Sequence, residues 1–175
     1  IYSDQILKDL PAIEPDHPLF REWKIRKSST DRLLNYLKNR NGSLVIMDLG
    51  CGNGWLANRI TQTLVCDVYG VDIHEFELVQ GARVFGGNDR LRFIYGDIFQ
   101  DILSPRMFDI ILLAASIQYF SDLKKLLEKL MDLLRDKGEI HILDSPFYHP
   151  ETVAAAKDRT GHYYQELGID EMVTY

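Results

Sequence analysis

The stretch Leu44-Val-Ile-Met-Asp-Leu-Gly-Cys-Gly-Asn-Gly-Trp-Leu56 decides the fold. Leu44 to Met47 form an apolar run without polar alternation, the pattern of a parallel strand buried on both faces. Asp48 follows, then glycines at alternate positions, Gly50, Gly52 and Gly54, with Cys51 and Asn53 between them. An apolar helical pattern starts at once, with Leu56, Ile60 and Leu64 spaced by four on one face. A strand, a glycine loop and a helix bring backbone N–H groups and a helix N-terminus up to a ligand.

Working outward, the same alternation repeats. Val68 to Asp72 and Leu91 to Tyr95 read as strands, each followed by or ending in an acid, Asp72 and Asp97. Glu75 to Phe85 reads as a helix interrupted by Gly81. Phe108 to Leu113 is the most apolar segment and predicts a central strand. Ser121 is the expected N-cap of a helix running to Asp136, burying Leu123, Leu126, Leu127, Leu130 and Leu134. Gly138 is expected to end that helix, and Glu139 to Leu143 to form the fifth strand. On the N-terminal side, Pro11, Pro15 and Pro18 predict an arm with short helical pieces. A helix over Leu19 to Arg40 follows, stopped by Asn41-Gly42. After Pro146 and Pro150 a last helix is expected over about Glu151 to Leu167.

Strands alternating with helices of about 10 to 15 residues predict an α/β fold: a doubly wound, mainly parallel Rossmann-like sheet with helices on both faces. Right-handed crossovers then put ligands at the carboxyl ends of the strands. A length of 175 residues suits one domain. The expected parts are an N-terminal arm and helix over 1–42, a core over 43–145, and a loop and helix over 146–175.

Apolar residues make up 46%, too many for a disordered chain. A net charge of −6 and a pI near 5.3 argue against a broad nucleic-acid or anionic-membrane surface. No apolar run approaches the roughly 20 residues that span a bilayer, so no membrane partner is expected. Cys51 and Cys66 form no CxxC pair, which argues against a disulfide framework or a metal site and for a reduced, cytoplasmic setting.

The loop's spacing excludes two ligand classes. No Gly-Lys-Ser/Thr follows, so it is not a P-loop, and Trp55 stands where a dinucleotide fingerprint needs its third glycine. With Asp48 before it and Asn53 within it, the loop suits a cationic ligand better than a pyrophosphate. Asp72, 18 residues after Gly54, holds the position that accepts from ribose hydroxyls in nucleotide-binding α/β folds. Asp97 is placed to accept from an adenine amino group, with Ile73 and Ile98 flanking the base.

Taken together, Asp48-Leu-Gly-Cys-Gly-Asn-Gly54, Asp72, Gly96-Asp97-Ile98 and Phe108-Asp-Ile-Ile-Leu-Leu113 resemble the ordered motifs of class I S-adenosylmethionine-dependent methyltransferases, nearest to methyltransferase type 11 domains. The resemblance covers about Leu44 to Leu143. It implies S-adenosyl-L-methionine as cofactor, with Gly50 to Gly54 bordering the methionine moiety and Asp48 orienting its amino group. It also implies Asp72 on the ribose, Asp97 and Ile98 on the adenine, the Ala114 to Ser116 backbone facing the cofactor, and a lid carrying Trp23, Arg26 and Lys27.

Two departures from the family pattern stand out. The antiparallel strand pair that usually closes the sheet has no room after Leu167: the chain stops short of it or replaces it. No Asn/Asp-Pro-Pro-Tyr/Phe follows strand four, where Ala114-Ala-Ser-Ile-Gln-Tyr-Phe120 stands instead, which argues against N-methylation of DNA bases or of glutamine. The acceptor implied is a small molecule. Tyr119 and His149 are the candidate catalytic groups, with Gln118, Asp144 and Tyr148 near the same strand ends, and His162, Tyr163 and Tyr164 expected to pack or line an acceptor pocket. His17, His74, His141 and the cluster Lys24 to Lys27 are read as surface or core groups. The competing functions are a binding module that keeps the cofactor pocket without transferring methyl groups, and an RNA methyltransferase. A third reading, an NAD-dependent short-chain enzyme, is argued against by the lack of Tyr-x-x-x-Lys after strand four.

Overall fold

The computed structural model of the protein describes residues 2–40 and 42–166. The chain divides into two compact units, one up to Asp144 and one from Ser145 onward. In the first, five parallel strands form one sheet: β1 (Leu44–Leu49), β2 (Cys66–Asp72), β3 (Leu91–Tyr95), β4 (Phe108–Ala114) and β5 (Leu134–Leu143), in the order β3-β2-β1-β4-β5. Alternate residues of the central strands serve opposite faces. Ile46, Ile110 and Leu112 enter one buried cluster, and Met47, Ile111 and Leu113 the other. This is why β1 and β4 read as unbroken apolar runs.

The first cluster is covered by α1 (Asp4–Asp9), α2 (Phe20–Leu37) and α3 (Trp55–Thr63), and takes Phe85 from α4 (Glu75–Phe85). The second is covered by α5 (Leu123–Leu133) through Leu126, Leu130 and Leu133. Strand order reverses between β1 and β4, which opens a crevice at their carboxyl ends. The helix α2 buries Trp23, Leu33, Leu34 and Leu37. Arg26 pairs with Glu22 and Lys27 with Asp31, so two cations of the basic cluster are matched within their own helix. Gly42 turns with φ +91°; Asn41 lies outside the described residues.

The α5–β5 region departs from the sequence reading. The N-cap is Asp122, whose side chain accepts from the Lys125 N–H at 2.9 Å; Ser121 lies one residue too early. The helix ends at Leu133 instead of Asp136, and β5 starts at Leu134 instead of Glu139. Leu133 replaces Leu123 and Leu127 on the buried face, with Leu123 exposed and Leu127 half-buried. Phe108 pairs with Leu134 and Ile110 with Glu139, so Arg135 to Gly138 bulge opposite Asp109 alone. Gly138 is therefore a bulge glycine: a Cβ there would lie 2.8 Å from Leu134 Cδ2 and 3.2 Å from the Asp109 carbonyl. Strand β2 begins two residues early, at Cys66. Asp122→Ala is expected to lose about 1 kcal/mol of stability, while Ser121→Ala leaves the urea midpoint unchanged.

In the second unit, a short 3-10 turn over Pro150–Thr152 leads into α6 (Val153–Glu166). The Thr152 N–H and hydroxyl both donate to the His149 carbonyl, at 2.8 and 2.9 Å. The expected helix end at Leu167, any strand after it, and the Tyr163 and Tyr164 side chains lie outside the described residues. Among the described residues no helix is long and apolar enough to cross a membrane.

Candidate functional site

The glycine loop lies at the carboxyl end of β1. Gly50, Gly52 and Gly54 all adopt left-handed backbone, with φ +74°, +54° and +74°. Such angles cost other residues roughly 1–2 kcal/mol each. The loop is tied to β2: the Gly50 and Cys51 N–H groups donate to the Val71 carbonyl at 2.8 and 3.3 Å, and the Gly52 N–H donates to Asp72 Oδ2 at 2.7 Å. The Gly54 N–H closes the turn onto the Cys51 carbonyl at 2.9 Å. Asn53 is buried, and its side-chain oxygen accepts from the Trp55 N–H at 3.4 Å where α3 begins.

The Asp72 carboxylate joins two pieces of backbone. Its Oδ2 takes the Gly52 N–H and its Oδ1 takes the His74 N–H at 2.8 Å, which fixes the loop against the β2–α4 turn. Each oxygen keeps lone-pair capacity for another donor, as two ribose hydroxyls would require.

Asp48 is the more unusual group. It sits in β1 with 2% exposure, and its carboxylate has no hydrogen bond or ion pair among the described residues. Burial, with a smaller contribution from the negative charge of Asp72, pushes its carboxyl up to about 7. A buried carboxylate without a donor calls for a cation beside it. Cys51 is buried against the same carboxylates, and burial first, then Asp48 and Asp72, raises its thiol far above the usual range. Burial also pushes Cys66 up to about 11, so neither thiol is a nucleophile at neutral pH.

The other expected site residues are placed less uniformly. Asp97 is exposed, and its Oδ1 accepts from the Phe99 N–H at 2.9 Å. Ile73 is 69% exposed just beyond β2, whereas Ile98 is 2% exposed and packs in the second core cluster. Ala114 ends β4 half-buried. Tyr119 is exposed in the 3-10 turn Ile117–Tyr119, and Gln118 beside it donates to the Ala115 carbonyl at 2.7 Å. His149 is exposed in the second unit. His162 is exposed too, its Nδ1 2.7 Å from the Asp158 carbonyl. His141 Nε2 lies 3.0 Å from Glu139 Oε2, and His17 Nδ1 accepts from the Leu19 N–H at 3.1 Å.

Sequence reasoning named Ala114 to Ser116, Asp144 and Trp23 but missed the contacts that hold this edge together. Ser116 is buried and donates from Oγ to the Leu49 carbonyl at 2.7 Å, joining the ends of β1 and β4. Ala115 and Asp144, which follow β4 and β5, both have left-handed backbone, with φ +54° and +52°. Such strain concentrates at ligand-facing turns. Asp144 is held by Ser29 of α2, whose hydroxyl donates at 2.5 Å. Trp23 of α2 packs edge-on against Trp55, ring centroids 5.0 Å apart, so α2 reaches the first residue of α3. No signal within any single segment reveals these pairings. Among the described residues no cluster of three or more His, Cys, Asp or Glu could hold a metal.

The arrangement can therefore hold a ligand with a cationic group near Asp48, paired hydroxyls at Asp72 and a flat apolar face toward Ile73. Comparison with known proteins points the same way. The family described as "Methyltransferase domain" matches residues 40–166. A malonyl-[acyl-carrier protein] O-methyltransferase of Priestia megaterium is 27% identical over 119 residues, 66% of this chain and 43% of that protein. A sterol 24-C-methyltransferase of Candida albicans is 24% identical over 82 residues, 45% of this chain and 22% of that one. The crystal structure of the YcgJ protein of Bacillus subtilis superposes with a TM-score of 0.67 at 18% identity, covering 77% of this chain and 59% of its own. The chain thus spans less than half the length of the curated relatives it matches.

Proposed function

Because the chain belongs to the methyltransferase domain family, we propose that it binds S-adenosylmethionine at the glycine loop and transfers the methyl group to a small-molecule acceptor. The observation that carries this reading is the buried, unpartnered Asp48 beside a loop whose other side is clamped by Asp72. When bound, the cofactor supplies an electrophilic methyl on a sulfonium, so the protein's own task is placement.

Asp48 would face the ammonium of the methionine moiety, and that cation would offset the cost of its burial. Asp72 would accept from the two ribose hydroxyls with the lone pairs its backbone donors leave free. Ile73 would cover one face of the adenine, and Asp97 Oδ2 would accept from the amino group while Oδ1 keeps its turn. Ile98 supports that wall from the core. The strained turn at Ala115 and buried Ser116 would keep the β4 end against the loop, so that an acceptor enters beyond Ala114 and Tyr119.

Tyr119 is a titratable side chain in the 3-10 turn that follows β4. An acceptor that arrives as a carboxylate, thiolate or free amine needs no base from the protein. Neither curated relative is named for a nucleic acid, which together with the net charge of −6 supports a small acceptor.

Calorimetric titration with S-adenosylhomocysteine tests the cofactor half of this reading. The wild-type protein is expected to bind, and Asp72→Ala to bind at least about tenfold more weakly, through loss of charge-assisted bonds worth roughly 1.5–3 kcal/mol each. No heat and no thermal shift at millimolar ligand would sink it. Binding without turnover across pooled acceptors would favour a non-catalytic module.

A further inference from the structure

A third carboxylate meets the glycine loop from outside the motifs. Glu77 stands in the first turn of α4, and its Oε2 lies 2.7 Å from where a Cβ on Gly52 would be, with Cδ at 3.5 Å. No other residue approaches that point within 4 Å, so the Glu77 carboxylate itself covers this face of the loop. Gly52 is thereby held between two acids. Its N–H donates to Asp72, and the space over its α-carbon is filled by Glu77.

The Glu77 carboxylate has no hydrogen bond or ion pair among the described residues, and neither has that of Asp48. Two cations of α2 are already matched within their own helix, Arg26 with Glu22 at 2.6 Å and Lys27 with Asp31 at 2.7 Å. The charges of Asp48, Asp72 and Glu77 all act on the buried Cys51 thiol, which places the three around one short segment. Three acids around one segment, none of them in an ion pair among the described residues, raise its energy unless a cationic ligand completes the site.

Resting on the cofactor reading above, we propose that Glu77 is a ligand-binding residue that holds the ammonium of the cofactor's amino-acid moiety from the α4 side, opposite Asp48. The adenosine half of the cofactor is then held by Asp72, Ile73 and Asp97. The amino-acid half depends on Asp48 and Glu77. The half-buried position of Glu77 lets its carboxylate move a short way to meet the ligand, whereas Asp48 is fixed in β1.

Two ligands separate these halves: S-adenosylhomocysteine, and 5′-methylthioadenosine, which keeps the adenosine and thioether but lacks the ammonium and carboxylate. Glu77→Gln is expected to weaken S-adenosylhomocysteine about tenfold, the loss of one charge-assisted contact, and to leave 5′-methylthioadenosine within about twofold. Glu75→Gln removes the same charge from an exposed position in the same turn and is expected to change neither. A des-amino analogue of S-adenosylhomocysteine, which gives up the contacts to both Asp48 and Glu77, should bind the wild-type protein more weakly than S-adenosylhomocysteine binds Glu77→Gln.

Equal loss of both ligands in Glu77→Gln would assign Glu77 to loop support and overturn the inference, as would no loss of either. If the wild-type protein binds both ligands and Glu77→Gln does not separate them, the inference alone fails. If the wild-type protein binds neither, the cofactor reading fails with it.

Discussion

Asp48→Asn is expected to make the ligand-free protein more stable at pH 8 while weakening its grip on S-adenosylhomocysteine. The carboxyl titrates near 7 in the folded protein against an ordinary value of 3.8. The folded state therefore binds the proton more tightly than the unfolded chain does. Stability contributed by this group is full below about pH 4, falls as pH rises to about 7, and stays low above it. At about 1.4 kcal/mol for each pH unit, the loss comes to about 4 kcal/mol.

An asparagine carries no charge there but still buries an amide without partners, at a cost of roughly 1–3 kcal/mol. The expected net gain at pH 8 is about 2 kcal/mol, or about 5 °C in melting temperature for a chain of this size. The decline in stability between pH 4 and 7 should flatten in the variant. Ligand affinity should move the other way. In the wild-type protein it should rise between pH 6 and 8 as Asp48 loses its proton, and in Asp48→Asn it should be weak and flat. Melting curves across pH with and without S-adenosylhomocysteine read all of this. A variant less stable than wild type at pH 8, or wild-type affinity that does not change over this range, would contradict the argument.

Gly81→Ala is the second large effect, and there the secondary-structure rule and the tertiary structure predict opposite signs. Within a helix such as α4, replacing glycine by alanine ordinarily gains about 1 kcal/mol. Here the new Cβ would stand 2.4 Å from the Asn53 carbonyl oxygen and 2.9 Å from Phe93 Cζ. The oxygen belongs to the glycine loop, whose backbone is fixed by bonds to Val71 and Asp72, so it cannot turn aside as a flexible side chain would.

Overpacking of this kind costs roughly 1–3 kcal/mol and here includes a backbone shift, so we expect a net loss of about 2 kcal/mol. Displacement of the loop should weaken S-adenosylhomocysteine as well. Gly87→Ala, in the turn after the same helix with nothing within 4 Å of the new Cβ, should leave both quantities unchanged. Urea denaturation of the two variants decides the matter; a more stable Gly81→Ala would refute the packing argument.

These two sites mark the limit of what local patterns reveal. Gly81 reads in the sequence as an interruption of a helix; in the fold it is where α4 touches the glycine loop at the Asn53 carbonyl. Gly138 reads as a helix stop and is instead the bulge that lets β5 pass close to Asp109. Ser121 and Asp122 are both good capping residues, and the choice between them depends on which side chain reaches the Lys125 N–H. In each case the residue type was informative, but the neighbour that gives it meaning comes from another segment of the chain.

The sequence by itself determined the parallel α/β fold, the strand-loop-helix unit at Leu44–Leu56 and the family resemblance. Each rests on short-range periodicity and on fixed spacings of glycines and acids, which a single segment carries whole. Only the tertiary structure decided that Asp48 is buried without a partner, that Glu77 covers Gly52, that Ile98 is core while Ile73 is exposed, and that Ser116 and Ser29 tie the strand ends together. Those facts depend on desolvation and on contacts between residues far apart in the chain. Charge and packing act through space, and the order of residues along the chain does not specify those distances.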